Sequence, residues 1–163
     1  MKSIIILGVG ESGIGCALLA QSRGYNVFVS DSNKIQESTR SQLIKNNIEF
    51  EESSHNIAIT MKPDFVVKSP GIPDSSQVIK SYKKDNINVI SEIEFASMHT
   101  DSEIIAITGS NGKTTTTLLT HQILSDQGLN VSIGGNIGTS FSSLLISDDY
   151  NYLVLEVSSF QLD

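Results

Sequence analysis

Two stretches of this 163-residue chain place glycines, a lysine and hydroxyls where phosphate chemistry needs them. The first is Gly8-Val9-Gly10-Glu11-Ser12-Gly13. In a Gly-x-Gly-x-x-Gly spacing the first glycine permits a tight turn and the second lets a pyrophosphate approach the backbone. The third lets helix and strand pack closely. Exposed N–H groups and the helix dipole then favour an anion at the loop. Asp31 ends the next apolar run, eighteen residues after Gly13, and can accept hydrogen bonds from a ribose or a base N–H. The spacing predicts a site for a nucleotide diphosphate and does not say which nucleotide. Glu11 inside the loop disfavours a second anionic phosphate close by.

The second stretch is Gly109-Ser110-Asn111-Gly112-Lys113-Thr114-Thr115. A full-length P-loop would place a glycine at 107, where the chain has Ile107. The working end survives. Backbone N–H groups there cradle a β-phosphate, Lys113 neutralises β/γ oxygens, and the Thr114 hydroxyl suits Mg²⁺. Such a loop needs a carboxylate near its metal. Glu156 fits that need, because it closes the apolar run Tyr152-Leu153-Val154-Leu155. A carboxylate in a buried strand is costly unless it is paired or bound to metal.

Short β-branched runs alternate with longer helical segments along the chain. Strands are predicted at 3–7, 26–30, 64–68, 87–90, 103–108, 130–133 and 152–157, with a weak one near 49–51. Helices are predicted at 13–23, 35–46, 75–85, 92–98, 112–127 and 139–146. This alternation predicts βαβ units and an open parallel α/β sheet. In such a sheet the C-terminal strand ends gather on one edge, where ligands bind. Both glycine loops, Asp31 and Glu156 fall there, so the two anion sites are expected to share one rim. The loops Ser69-Pro70-Gly71-Ile72-Pro73 and Gly134-Gly135-Asn136-Ile137-Gly138 end on the same edge. The glycines around Asn136 are expected to leave room for a ligand beside its amide. Two phosphate loops predict two α/β units, 1–98 and 99–163. The second has three predicted strands, fewer than a usual sheet, so a piece of a longer enzyme is expected.

Composition narrows the partners. A net charge of −7 and a sequence pI of about 4.8 leave no broad basic face for nucleic acid or an acidic membrane. The N-terminal apolar run is too short to span a bilayer and has no signal-peptide cleavage region, which predicts a cytoplasmic protein. One cysteine, Cys16, excludes a disulfide framework and a thiolate metal cluster. His55, His99, His121 and Cys16 read as surface or packing residues. Lys83-Lys84 reads as a solvated helix end, and Ser91-x-x-Glu94 as a capping box.

The order of motifs resembles the Mur ligases: Gly8-x-Gly10-x-Ser12-Gly13, Asp31, Ser69-Pro70-Gly71-Ile72, Gly109-Ser110-Asn111-Gly112-Lys113-Thr114, Gly135-Asn136-Ile137-Gly138 and Leu155-Glu156-Val157-Ser158-Ser159-Phe160-Gln161-Leu162. Within that family it is most similar to the branch that adds D-glutamate to UDP-N-acetylmuramoyl-L-alanine in peptidoglycan precursor synthesis. The resemblance implies a Rossmann-like parallel-sheet domain, followed by the first part of a P-loop-type α/β ATPase domain. It implies ATP and Mg²⁺, an acyl phosphate formed from the substrate carboxylate, and attack by the D-glutamate amine. It places Gly10, Glu11 and Ser12 at the UDP diphosphate, Asp31 and Ser32 on the uracil side, Gly71 in the same groove and Asn136 at the UDP-sugar. Gly109 to Thr115 would hold ATP, with Lys113 at the transferring phosphate. Thr114 and Glu156 would hold Mg²⁺, with Ser158 close by. The family's later segments, with a His, a modified Lys and the D-glutamate domain, have no match in this sequence, so the chain alone is expected not to ligate. Two other readings stand beside this one: a nicotinamide-dependent oxidoreductase resting on the first loop and Asp31, and a nucleotide-binding module without chemistry.

Overall fold

The structure is a computed structural model and describes residues 1–146 and 149–161. Five strands form the first sheet: β1 (Ser3–Leu7), β2 (Asn26–Ser30), β3 (Glu49–Glu51), β4 (Phe65–Lys68) and β5 (Asn88–Ser91). All pairs are parallel, in the order β3-β2-β1-β4-β5. Helices α1 (Glu11–Ser22), α2 (Glu37–Lys45), α3 (Gln77–Lys84) and α4 (Glu92–Ser97) connect or flank them. The second sheet holds β6 (Glu103–Ile107), β7 (Val131–Gly135) and β8 (Tyr152–Glu156), also parallel, in the order β6-β8-β7. Its helices are α5 (Lys113–Asp126) and α6 (Phe141–Leu144). The predicted parallel α/β architecture is therefore present.

β1 shows why its sequence is an unbroken apolar run. Alternate residues of a strand face opposite sides, and helices cover both. Ile4 and Ile6 pack with Cys16 and Leu19 of α1, whereas Ile5 and Leu7 pack with Val78, Ile79 and Tyr82 of α3. The face carrying Ile4 and Ile6 continues beyond its own sheet. The same cluster takes in Phe141 and Leu145 from the α6 region and Leu153, Leu155 and Val157 from β8 and its end. One core thus runs through both sheets, and α6 is the element that carries it across by packing on α1 and α4.

Local signals explain the helix starts. Ser91 Oγ accepts a hydrogen bond from the Glu94 N–H at 3.1 Å, the serine half of the predicted capping box. The helix after the first glycine loop begins at Glu11, earlier than the apolar pattern predicts, because Gly10 serves as its N-cap. On the far side of the second sheet, β6 is an edge strand and the outer face of α5 leaves Leu118, Leu119 and Ile123 more than half exposed. Among the described residues, no helix is long and apolar enough to cross a membrane.

Candidate functional site

The three glycines of the first loop meet the three demands of the fingerprint. Gly8 adopts φ +84°, a left-handed conformation that favours glycine, and a Cβ there would lie 2.8 Å from Ser69 Cβ. A Cβ on Gly13 would sit 2.0 Å from the Gly8 carbonyl oxygen, so the glycine lets α1 press onto the loop. Gly10 has nothing within 4 Å of its Cβ position, leaving its backbone open to a ligand. Asp31 is placed differently from the expectation. Its Oδ2 accepts from the Val9 N–H at 2.8 Å and its Oδ1 from the Asn33 N–H at 2.8 Å. The carboxylate staples the glycine loop to the loop after β2, and only its remaining lone pairs face outward.

A cavity of about 550 Å³ opens between these loops, walled by Gly10, Glu11, Ile14, Asp31, Lys34 and Thr39 among others. Its size suits a nucleotide-sized ligand. Lys34 is the one cation in that wall, and the sequence reading passed over it. Ser12 is half-buried in the first turn of α1, and Ser32 is exposed beside Asp31. Gly71 is exposed in the loop after β4, whose Ser69 N–H donates to the Leu7 carbonyl at 2.9 Å and which abuts Gly8. All the residues lining the cavity come from the loops after β1 and β2 and the helices they enter, so the expected shared rim does not appear as a wall common to both glycine loops.

The second loop leaves β6 at Ile107 and enters α5 at Lys113. Gly109 (φ +145°) and Gly112 (φ +76°) make the reversal, and the loop is exposed. Lys113 Nζ donates to the Gly109 carbonyl at 2.8 Å, folding the ammonium over its own loop. Parallel register then brings three strand ends level: Glu156 lies opposite Ile107 on one side and Gly135 on the other. The consequence is a compact constellation. Thr114 Oγ1 donates to Glu156 Oε2 at 2.7 Å, and Asn136 Nδ2 donates to Glu156 Oε1 at 3.3 Å. Glu156 is 3% exposed, so both carboxylate oxygens are buried with a polar partner each.

Of the three glycines around Asn136, Gly138 has nothing within 4 Å of its Cβ position, but Gly134 and Gly135 do not leave the space expected for a ligand. A Cβ on Gly135 would lie 2.4 Å from the Glu156 carbonyl oxygen, and one on Gly134 would lie 2.3 Å from the Thr139 carbonyl oxygen. Gly135 lets the loop close onto β8 and Gly134 lets it fold onto Thr139 and Leu144, and the Asn136 N–H donates to the Glu156 carbonyl at 2.7 Å. Ser158 N–H and Oγ–H both point to Gln161 Oε1, at 2.8 and 2.9 Å, one turn beyond Glu156. Ser110, Asn111 and Thr115 are exposed around the loop. Leu162 of the terminal motif lies outside the described residues.

The bland residues hold further interactions. His99 packs between Phe95 and Tyr25, and His55 Nδ1 lies 2.6 Å from Ser30 Oγ. Lys83 is not merely solvated, because it and Lys68 both pair with Asp74 and pull its pKa down to about 2. Two buried carboxylates and one glycine were missed. Glu51 lies opposite Ser30 in the β2–β3 register. Burial would raise its pKa, yet the N–H groups of Ala58 and Ile57 and the hydroxyls of Ser30 and Ser54 hold it below the usual range. Glu92 opens α4, and burial raises its pKa, offset in part by Ser142. Gly15 sits mid-helix in α1, where a Cβ would come 2.2 Å from Ser143 Oγ and 2.6 Å from Ser140 Oγ of the α6 turn. A glycine inside a helix was the available signal.

Comparison with known proteins now decides the family. Residues 3–78 match the MurD N-terminal domain and residues 107–163 match the Mur ligase middle domain. The chain belongs to the Mur ligase family. A UDP-N-acetylmuramoylalanine–D-glutamate ligase of Cytophaga hutchinsonii is 50% identical over 99% of this chain and 36% of that protein. The ligase of the same name from Bacteroides thetaiotaomicron is 46% identical over all of this chain and 37% of its own length. The chain therefore spans about a third of the length of the curated relatives it matches. Among solved structures, a murein peptide ligase from Psychrobacter arcticus superposes with a TM-score of 0.64 at 26% identity, over 98% of this chain and 39% of that one. A Mur ligase family chain with both matched domains leaves the oxidoreductase reading without support.

Proposed function

We propose that this chain is the UDP-substrate-binding and ATP-binding portion of an ATP-dependent acid–amino-acid ligase of peptidoglycan precursor synthesis. Its two units are residues 1–98 and 99–163. The reaction joins D-glutamate to UDP-N-acetylmuramoyl-L-alanine. The γ-phosphate of ATP passes to the terminal carboxylate, and the amine displaces phosphate from the acyl phosphate to leave the peptide bond, ADP and phosphate. The setting is the cytoplasm, where the nucleotide substrates are. Gly10, Glu11 and Ser12 present backbone to the diphosphate of the UDP group. Asp31 and Ser32 stand on the uracil side, with Gly71 beside them. Gly109 to Thr115 receive ATP, and Lys113 swings from the Gly109 carbonyl to the phosphates.

One observation carries this reading: the Thr114 hydroxyl and the buried Glu156 carboxylate meet at 2.7 Å at the head of the phosphate loop. A hydroxyl and a carboxylate are a hard-oxygen donor pair suited to Mg²⁺. Bound there, the metal would supply neutralising charge on the phosphates, and Thr114 and Glu156 would hold it. Asn136 shares Glu156, so its amide would be available to the UDP-sugar beside a metal held there, with Ser158 close in sequence to that carboxylate. The test is Mg²⁺-dependent ATP binding by calorimetry. Glu156→Gln is expected to weaken Mg-ATP at least tenfold with little change in metal-free ATP affinity. Equal Mg-ATP affinity in the folded variant would remove the support.

A further inference from the structure

Glu92 has no role in either phosphate loop, yet it is a carboxylate only 5% exposed. Its Oε1 accepts from the Ser142 backbone N–H at 2.7 Å, fifty residues along the chain and in the other sheet's helical layer. Around this bond lie Cys16, fully buried on α1, and the α6 turn that Gly15 lets approach. From Ser142 a continuous path leads to the metal side of the second loop. The Ser140 side chain caps α6, Gly135 N–H donates to the Thr139 carbonyl at 3.0 Å, and the next residue, Asn136, grips Glu156 through both its main chain and its side chain. In the other direction, α1 is N-capped by Gly10, the open glycine of the first loop. α6 thus packs on the helix of one loop and is tied through the Thr139 and Asn136 loop to the carboxylate of the other.

We propose that Glu92 is a positioning residue: by holding Ser142 it seats α6 on α1 and α4, and so fixes the Asn136 loop against Glu156. The idea uses the ATP site assigned above but makes its own demand on the fold. A buried acceptor opposite a backbone N–H cannot be removed without leaving that donor unpaired in the interior. Gln keeps an acceptor oxygen at the same reach, whereas Ala and Asp do not. No part of Glu92 reaches the phosphate loop, so any effect on ATP must pass through α6.

Cys16 is the chain's single thiol, buried at the α1–α6 seam. Burial and then the nearby Glu92 charge push its pKa up, so Glu92→Gln, which removes the charge but keeps an acceptor, is the baseline against which its reactivity reads the seam. Two readouts therefore test the proposal in the same variants. In Glu92→Ala the reaction of Cys16 with an aromatic disulfide reagent is expected to be at least tenfold faster than in Glu92→Gln, and Mg-ATP affinity at least fivefold weaker than in the parent. Glu92→Gln should stay within twofold of the parent in Mg-ATP affinity. If Glu92→Ala does not fold, Glu92→Asp, one methylene short, should show the same direction on both. Unchanged thiol reactivity and ATP affinity in a folded Ala or Asp variant would overturn the proposal, as would a Gln variant that behaves like Ala. If the parent chain binds no Mg-ATP, the functional reading falls, and the thiol rates still decide whether Glu92 seats α6.

Discussion

Glu51, Glu92 and Glu156 are each less than a tenth exposed, and each meets the cost of burying a carboxylate differently. Glu51 saturates both oxygens with two N–H groups and two hydroxyls. Glu156 takes a hydroxyl and an amide, partners that a metal could supplement. Glu92 has the poorest supply, and burial raises its pKa. The sign of its pH effect follows. A carboxyl with a raised folded-state pKa favours folding in its protonated form. Its contribution is full below the unfolded value, near 4.5, and is lost as pH rises through the folded value. Glu92→Gln removes the ionisation, so its melting temperature should gain on the parent as pH rises from about 4 to 7. A flat difference over that range, followed by calorimetry, would contradict the assignment. Glu51 has the opposite sign. Its stabilising contribution is present above the ordinary carboxylate range and lost as pH falls through its lowered value. Glu51→Ala at neutral pH should cost about 2–3 kcal/mol in urea unfolding, since several buried donors lose an ionised acceptor.

Much of this was legible where one short segment contains both the residue and its reason. Gly8, Gly10 and Gly13 lie within six residues, so their spacing predicts the backbone geometry found there, and Gly109 and Gly112 likewise announce the turn that puts Lys113 and Thr114 at the start of α5. Strand runs buried on both faces, such as Ile4–Leu7, announce parallel strands. Glu51 and Glu92 could not be read, because their partners are brought in by tertiary packing. The meaning of Gly134 and Gly135 was misread for a related reason: glycine marks a close approach, but the sequence does not say whether ligand or backbone does the approaching. At Gly135 it is the backbone of β8. Gly15 poses the same question inside a helix, and there two effects compete with opposite sign. By helix propensity alone, Gly15→Ala in α1 should stabilise by about 1 kcal/mol. By packing, a methyl 2.2 Å from Ser143 Oγ must push α6 away, a strain of about 1–3 kcal/mol. The seam is tight on both Ser140 and Ser143, so packing should win. Gly15→Ala is expected to lower the urea midpoint and to speed Cys16 modification. A raised midpoint would show that α6 yields freely.

At the scale of the molecule, two phosphate loops on two sheets predict two units, whereas the core predicts one. Phe141 is fully buried, and it belongs to the same apolar cluster as Ile4 and Ile6 of β1 and Leu153 and Leu155 of β8. Separate domains unfold separately when their interface is small and polar. Here the interface includes the core itself, together with the Glu92–Ser142 bond, so loss of either sheet uncovers apolar surface of the other unit. The chain should therefore unfold in one transition, with calorimetric and van't Hoff enthalpies equal. Phe141→Ala sharpens the distinction. Removing this ring should cost about 3–5 kcal/mol. If the core is shared, native-state hydrogen exchange should show β1 and β8 losing protection together and by similar amounts, although Phe141 itself belongs to the second unit. If exchange rises in β8 while β1 keeps its protection, the two sheets are thermodynamically separate and α6 is only an adhesive surface between them.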